Sequence, residues 1–147
     1  MMTDKSGQCM CGAVRITARN VRTGFGACHC KMCQRWAGSA LLAVTVPADD
    51  ITWTGLDKVQ TIQSSDWAER GWCTTCGSGL WYRITAESKH KGNYEIPIGI
   101  FDDADGFTLE QEIFVDRKSN SFELAGDHRQ LTEAEVFAIY RQGVDGA

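Results

Sequence analysis

The sequence predicts a mainly β protein with a short helix at its C-terminus, built as a single domain over residues 1–147. Three observations predict it. Apolar residues recur mostly at the two-residue period of strands. One helix signal stands out, close to the end of the chain. The sequence carries no repeat, linker or low-complexity stretch, and 147 residues is an ordinary length for one compact domain.

The elements follow in order. Ala13-Val14-Arg15-Ile16-Thr17 alternates and reads as a strand. Ala40 to Val46 is an apolar run ended by Pro47, which suits a buried strand. Ile51–Thr54 and Val59–Ile62 alternate again, and Leu80–Ile84 and Ile96–Phe101 read as two more strands. Pro97 predicts an edge strand or a bulge, because proline cannot donate to the ladder. Gln111 to Val115 is the last strand candidate. Residues 89–93 form a polar turn and 102–106 an acidic one. The second resembles a calcium loop in composition only, since it lacks the last glutamate and the flanking helices. Thr132 and Glu135 make a capping box, with Leu131 and Val136 at the staple positions. Val136, Ile139 and Tyr140 then form an apolar stripe, and Gly143 reads as the stop. This helix is expected to pack on the sheet and take no part in chemistry.

Composition excludes several classes. At 43% hydrophobic and 23% charged the chain is that of a globular protein. A net charge of −4 argues against a nucleic-acid binder. No apolar run approaches the roughly 20 residues of a membrane helix. Met1 to Gln8 has no apolar core of a secretory signal, so the expected location is the reducing cytoplasm. The seven cysteines cannot all pair within one chain, and in a reducing compartment they read as metal ligands or catalytic thiols.

The cysteines fall into three groups: Cys9 and Cys11; Cys28, Cys30 and Cys33; Cys73 and Cys76. Unconnected core thiols would not cluster in this way. Cys73-Thr74-Thr75-Cys76-Gly77 has the spacing of a zinc knuckle, two thiolates on a tight turn that a glycine allows. A structural zinc needs two further ligands. Cys30 and Cys33 would complete it but strand Cys9, Cys11 and Cys28. Cys9 and Cys11 complete it and leave Cys28, Cys30 and Cys33 as a local triple, the preferred partition. Four ligands close a structural site, whereas three leave a position open for water or substrate.

At these residues the chain resembles the glutathione-dependent formaldehyde-activating enzyme family, which also includes centromere protein V relatives. Gly7-Gln8-Cys9-Met10-Cys11-Gly12-Ala13-Val14-Arg15 resembles its opening strand. Cys28-His29-Cys30-Lys31-Met32-Cys33-Gln34-Arg35, with Gly38, resembles its C-H-C-x-x-C segment. Gly71-Trp72-Cys73-Thr74-Thr75-Cys76-Gly77-Ser78-Gly79-Leu80 resembles its second knuckle, with Trp72 where phenylalanine is more usual. With Ile113-Phe114-Val115-Asp116 the resemblance spans residues 7–122. It implies a zinc-binding β-tent fold. It implies Cys9, Cys11, Cys73 and Cys76 on a structural zinc and Cys28, Cys30 and Cys33 on a second, more labile ion. It also implies carbon–sulfur lyase activity, the reversible joining of formaldehyde and glutathione to S-hydroxymethylglutathione. After Asp116-Arg117-Lys118 the family often carries a tryptophan–tyrosine pair; this chain reads Ser119-Asn120-Ser121-Phe122, a departure that bears on the substrate if the pair shapes a cleft.

The expected chemistry places a small thiol at the open position of the Cys28, Cys30 and Cys33 site, beside an aldehyde carbon, where proximity supplies much of the rate. The proton donor cannot be named from the residues. Arg35 is the candidate for a substrate carboxylate, or else balances the anionic site. His29 points away from Cys28 and Cys30 on an extended segment and is expected to pack rather than ligate. His90 and His128 are expected at the surface. The competing class is a non-catalytic zinc module that binds a protein or a small thiol; the open-sided triple favours the enzyme.

Overall fold

The computed structural model describes residues 2–145. In chain order the strands are β1 (Met2–Gln8), β2 (Arg15–Arg22), β3 (Gly24–Cys28), β4 (Leu41–Val46), β5 (Ile51–Thr54), β6 (Val59–Gln63), β7 (Ala68–Cys73), β8 (Gly79–Ile84), β9 (Tyr94–Pro97), β10 (Thr108–Ile113) and β11 (Arg129–Leu131). The helices are α1 (Lys31–Ala37) and α2 (Glu133–Asp145). The protein is therefore mainly β with a C-terminal helix. Among the described residues no helix is long and apolar enough to cross a membrane.

Two sheets face each other. The smaller has the order β1-β2-β5, the larger β11-β10-β3-β4-β9-β8-β7-β6. Neighbours are antiparallel except that β10 runs parallel to both β3 and β11. The main core lies between the sheets. Ile16, Ala18 and Val21 of β2 meet Val44, Val46, Ile96 and Trp81 of the larger sheet. Alternation puts Ile16 and Ala18 on one face, and an irregularity around Asn20 (φ +53°), where the register with β1 shifts, brings Val21 onto the same side. Trp53, Trp81 and Tyr94 pack ring on ring at 4.9–5.7 Å. Gly71 is required beneath them, because a Cβ there would lie 2.6 Å from the Trp81 ring.

Pro97 departs from its expected place. β9 sits between β4 and β8 rather than at an edge, and the proline is its last residue, leading into a 3-10 turn. The missing N–H therefore falls where the ladder ends. At α2 the capping box forms in both directions: the Thr132 N–H donates to Glu135 Oε1 at 2.9 Å, and the Glu135 N–H to Thr132 Oγ1 at 3.3 Å. Leu131 and Val136 are both buried. Gly143 does not stop the helix, which runs on to Asp145. Ile139 and Tyr140 stay 41% and 43% exposed, so the buried contact is narrower than the apolar stripe. Phe137 completes it against the rings of Trp67 and Phe114.

Candidate functional site

The turns after β1 and after β7 bring four sulfurs together. Cys73 is the last residue of β7, and Gly77 (φ +80°) donates its N–H to the Cys73 carbonyl at 2.7 Å, closing the knuckle. Opposite it, the Cys9 N–H donates to the Val14 carbonyl at 3.0 Å and the Gly12 N–H to the Cys9 carbonyl at 3.1 Å, closing the turn that carries the exposed Cys11. The Sγ atoms of Cys9, Cys11, Cys73 and Cys76 all lie within 4.8 Å of one another. Cys9 and Cys11 are 3.6 Å apart and Cys11 and Cys73 3.8 Å. A tetrahedron with zinc–sulfur distances of about 2.3 Å has edges of about 3.8 Å, so the donor set fits zinc. The Ser78 hydroxyl on Cys76 Sγ pulls that thiol down to about 5, which favours the ligating thiolate. Cys9 and Cys73 are fully buried in the main core.

The second cluster lies on the other face of the larger sheet. Cys28 ends β3, Cys30 caps α1 by accepting the Cys33 N–H at 3.3 Å, and Cys33 faces inward from the first turn. The three Sγ atoms again lie within 4.8 Å of one another, so this group too can hold a metal ion. Hydrogen bonds from Cys28 and Cys33 pull the Cys30 thiol far down, and the reverse contact pushes Cys28 up. None of the seven cysteines is in a disulfide.

One cation stands beside this cluster. Arg70 of β7 is 3% exposed, and its Nη2 donates to Cys33 Sγ at 3.6 Å. Its guanidinium lies between the rings of Trp36 and Tyr82, at 5.0 and 4.9 Å. Trp36 in turn rests on Gly79, where a Cβ would meet its ring at 3.0 Å. Trp67 Nε1 donates to the Tyr82 hydroxyl at 2.9 Å. Burial pushes the Tyr82 phenol up. Among the described residues the buried Arg70 Nη1 has no hydrogen-bond partner. Such a donor costs about 1–3 kcal/mol unless something accepts from it.

His29 turns away from the sulfurs, as alternation predicts. Its Nε2 is 2.7 Å from Glu112 Oε1, and His128 Nε2 bonds the other carboxylate oxygen. Burial opposes ionisation of Glu112, but hydrogen bonds from His128 and His29 outweigh it and hold the carboxyl low. The His128 side chain is 1% exposed rather than at the surface, because Glu112 draws it in. His90 is half-buried against the Tyr140 ring, also a departure from the surface position expected. The Phe122 ring stands 6.0 Å from His29, so an aromatic side chain does reach this loop. Arg35 is exposed, two residues past Cys33 and so on the far side of α1. The buried arginine of the site is Arg70, which the sequence reading missed.

Fold and clusters together define a mainly β protein with two sulfur sites, each able to hold a metal ion. The chain belongs to the glutathione-dependent formaldehyde-activating enzyme family, whose sequence profile matches residues 4–117. An uncharacterized lyase of Schizosaccharomyces pombe is 26% identical over 135 residues, which is 92% of this chain and 96% of the relative. A Halomonas elongata protein, provisionally named a glutathione-dependent formaldehyde-activating enzyme, is 30% identical over 83 residues, 51% of this chain and 53% of its own length.

Proposed function

We propose that the protein is a zinc-dependent carbon–sulfur lyase that joins or cleaves a small thiol such as glutathione and an aldehyde such as formaldehyde. Family membership and the lyase name of the Schizosaccharomyces pombe relative support the class. The observation that carries the reading is the buried guanidinium of Arg70, bonded to Cys33 Sγ with Nη1 unpartnered.

Cys9, Cys11, Cys73 and Cys76 would hold a structural zinc, and Cys28, Cys30 and Cys33 a second ion. Bound to three thiolates, zinc supplies a positive centre with one open position that favours an ionised sulfur. In the joining direction the thiolate sulfur forms a bond to the aldehyde carbon, and the carbonyl pair moves onto oxygen. The resulting alkoxide takes one proton, replacing the one the thiol released. Arg70 answers both charges: Nη2 balances the thiolates, and Nη1 is a donor free for the developing oxyanion. Trp36 and Tyr82 hold the guanidinium plane, so little reorganisation is needed as charge moves. A scaffold that only binds zinc has no need of such a donor.

The test is exchange NMR with formaldehyde and glutathione at full zinc loading. The zinc-loaded protein accelerates exchange above the spontaneous rate; no acceleration would remove the named reaction and leave the binding-module reading.

A further inference from the structure

We propose that Glu95 binds the ammonium group of the thiol substrate and so selects thiols that carry an ammonium, such as glutathione, over those that lack one, an inference that rests on the thiol–aldehyde reading above. The register puts Glu95 on the face of the second cluster. Cys28 pairs with Leu41, Thr45 with Glu95, Glu95 with Tyr82, and Tyr82 with Arg70. Paired residues share a face, as do Leu41, Ala43 and Thr45 along β4. Leu41 and Ala43 pack against Cys33. Thr45 and Glu95 lie one two-residue step, about 7 Å, beyond Ala43, and two steps, about 13 Å, beyond the Leu41–Cys28 pair. A thiol bound on the Cys33 side of the cluster, which Ala43 touches, with an ammonium about eight bonds from its sulfur reaches across the step from Ala43 to Glu95.

Glu95 is short of partners. Among the described residues both carboxylate oxygens accept from one donor, the Thr45 hydroxyl, at 2.7 and 3.0 Å. A carboxylate offers about four lone-pair sites. The charge of Arg22 reaches it, but Arg22 is ion-paired with Glu110 at 2.7 Å. Two phenols also face it among the described residues: Tyr82, its register partner on β8, and Tyr140 of α2, which feels the charges of Glu95, Arg129 and Cys28. Neither supplies a cation. Burial therefore pushes the carboxyl up to about 7. An ammonium would bring the missing charge and up to three donors.

The test is calorimetric binding of glutathione and of its deaminated analogue to zinc-loaded wild type and Glu95→Gln. A charge-assisted hydrogen bond corresponds to roughly a tenfold or greater preference. Wild type prefers glutathione by that factor, and Glu95→Gln brings the ratio near one by weakening glutathione alone. A ratio that survives the substitution, a wild type without preference, or an equal loss of both ligands would overturn the proposal while thiol binding stands. Failure of wild type to bind either ligand would overturn the thiol reading as well.

Discussion

Replacing Arg70 by methionine separates its effect on folding from its effect on chemistry. The substitution removes the Nη2–Sγ bond to Cys33, worth about 1.5–3 kcal/mol for a charged donor, and the stack between Trp36 and Tyr82, worth about 0.5–2 kcal/mol per ring. It also removes Nη1, a buried donor whose lack of a partner costs about 1–3 kcal/mol. Methionine refills the slot with apolar volume. At mid-range the losses, about 4–5 kcal/mol, exceed the gain of about 2, so a net destabilisation of about 2–3 kcal/mol is expected. The chemistry has no such compensation. Loss of one oxyanion donor slows a reaction about 10²–10³-fold. Urea melts, zinc content and formaldehyde–glutathione exchange are measured on the same samples. Arg70→Met keeps its fold and zinc and loses the exchange rate; Arg70→Lys, which keeps the charge but not the fork, recovers part of it. A zinc-loaded Arg70→Met that exchanges as fast as wild type would refute the reasoning.

Three further outcomes are expected. Zinc analysis gives near two ions per chain in wild type and near one in folded Cys30→Ser, whereas Cys76→Ser unfolds, because a structural zinc contributes about 10–16 kcal/mol against a total stability of about 5–15 kcal/mol; a folded Cys76→Ser with both ions would sink the partition. Gly71→Ala forces a Cβ to within 2.6 Å of the Trp81 ring, so it costs about 1–3 kcal/mol and alters near-ultraviolet circular dichroism, and unchanged melts would contradict the packing. Glu95 is raised in the fold from 4.5 to about 7, so its contribution is complete below about pH 4.5 and is lost as pH climbs through about 7, by at most about 3 kcal/mol; Glu95→Gln flattens the stability slope between those values, and parallel slopes would argue that the carboxyl is not perturbed.

The strands legible in the sequence are those whose apolar residues either alternate with polar ones or, as in β4, run together because both faces are buried. β4, β5, β6 and β8 fall within a residue of their expected limits. β1 escaped because it is polar and largely exposed at the edge of the smaller sheet. β3 escaped because Gly24 and Gly26 leave little pattern to see. α1 is too short for a helical period to show. Its marks were local: Cys30 as cap, and Gly38 at φ +83° closing the last turn onto the Gln34 carbonyl.

The site divides along the same line. Metal ligands come in short pairs that share a turn, so their spacing survives in the sequence; Arg70 and Cys33 are 37 positions apart, and Thr45 and Glu95 50. Only strand pairing joins such residues, and β7 hid its part because both its faces carry charge. On one face Glu69 accepts from Trp81 Nε1 at 2.9 Å, beside Gly71 and Cys73; on the other Arg70 reaches Cys33. A strand that puts a structural ligand on one face and the buried cation of the second cluster on the other shows no apolar period. It carries a member of each group. Cys73, paired with Val59 of β6, joins the four-sulfur cluster on one face, and three residues back, beyond a register shift at Gly71–Trp72, Arg70 reaches Cys33 on the other. One six-residue strand thus places a sulfur of the first cluster and a buried cation beside the second, a pairing that no short sequence motif records.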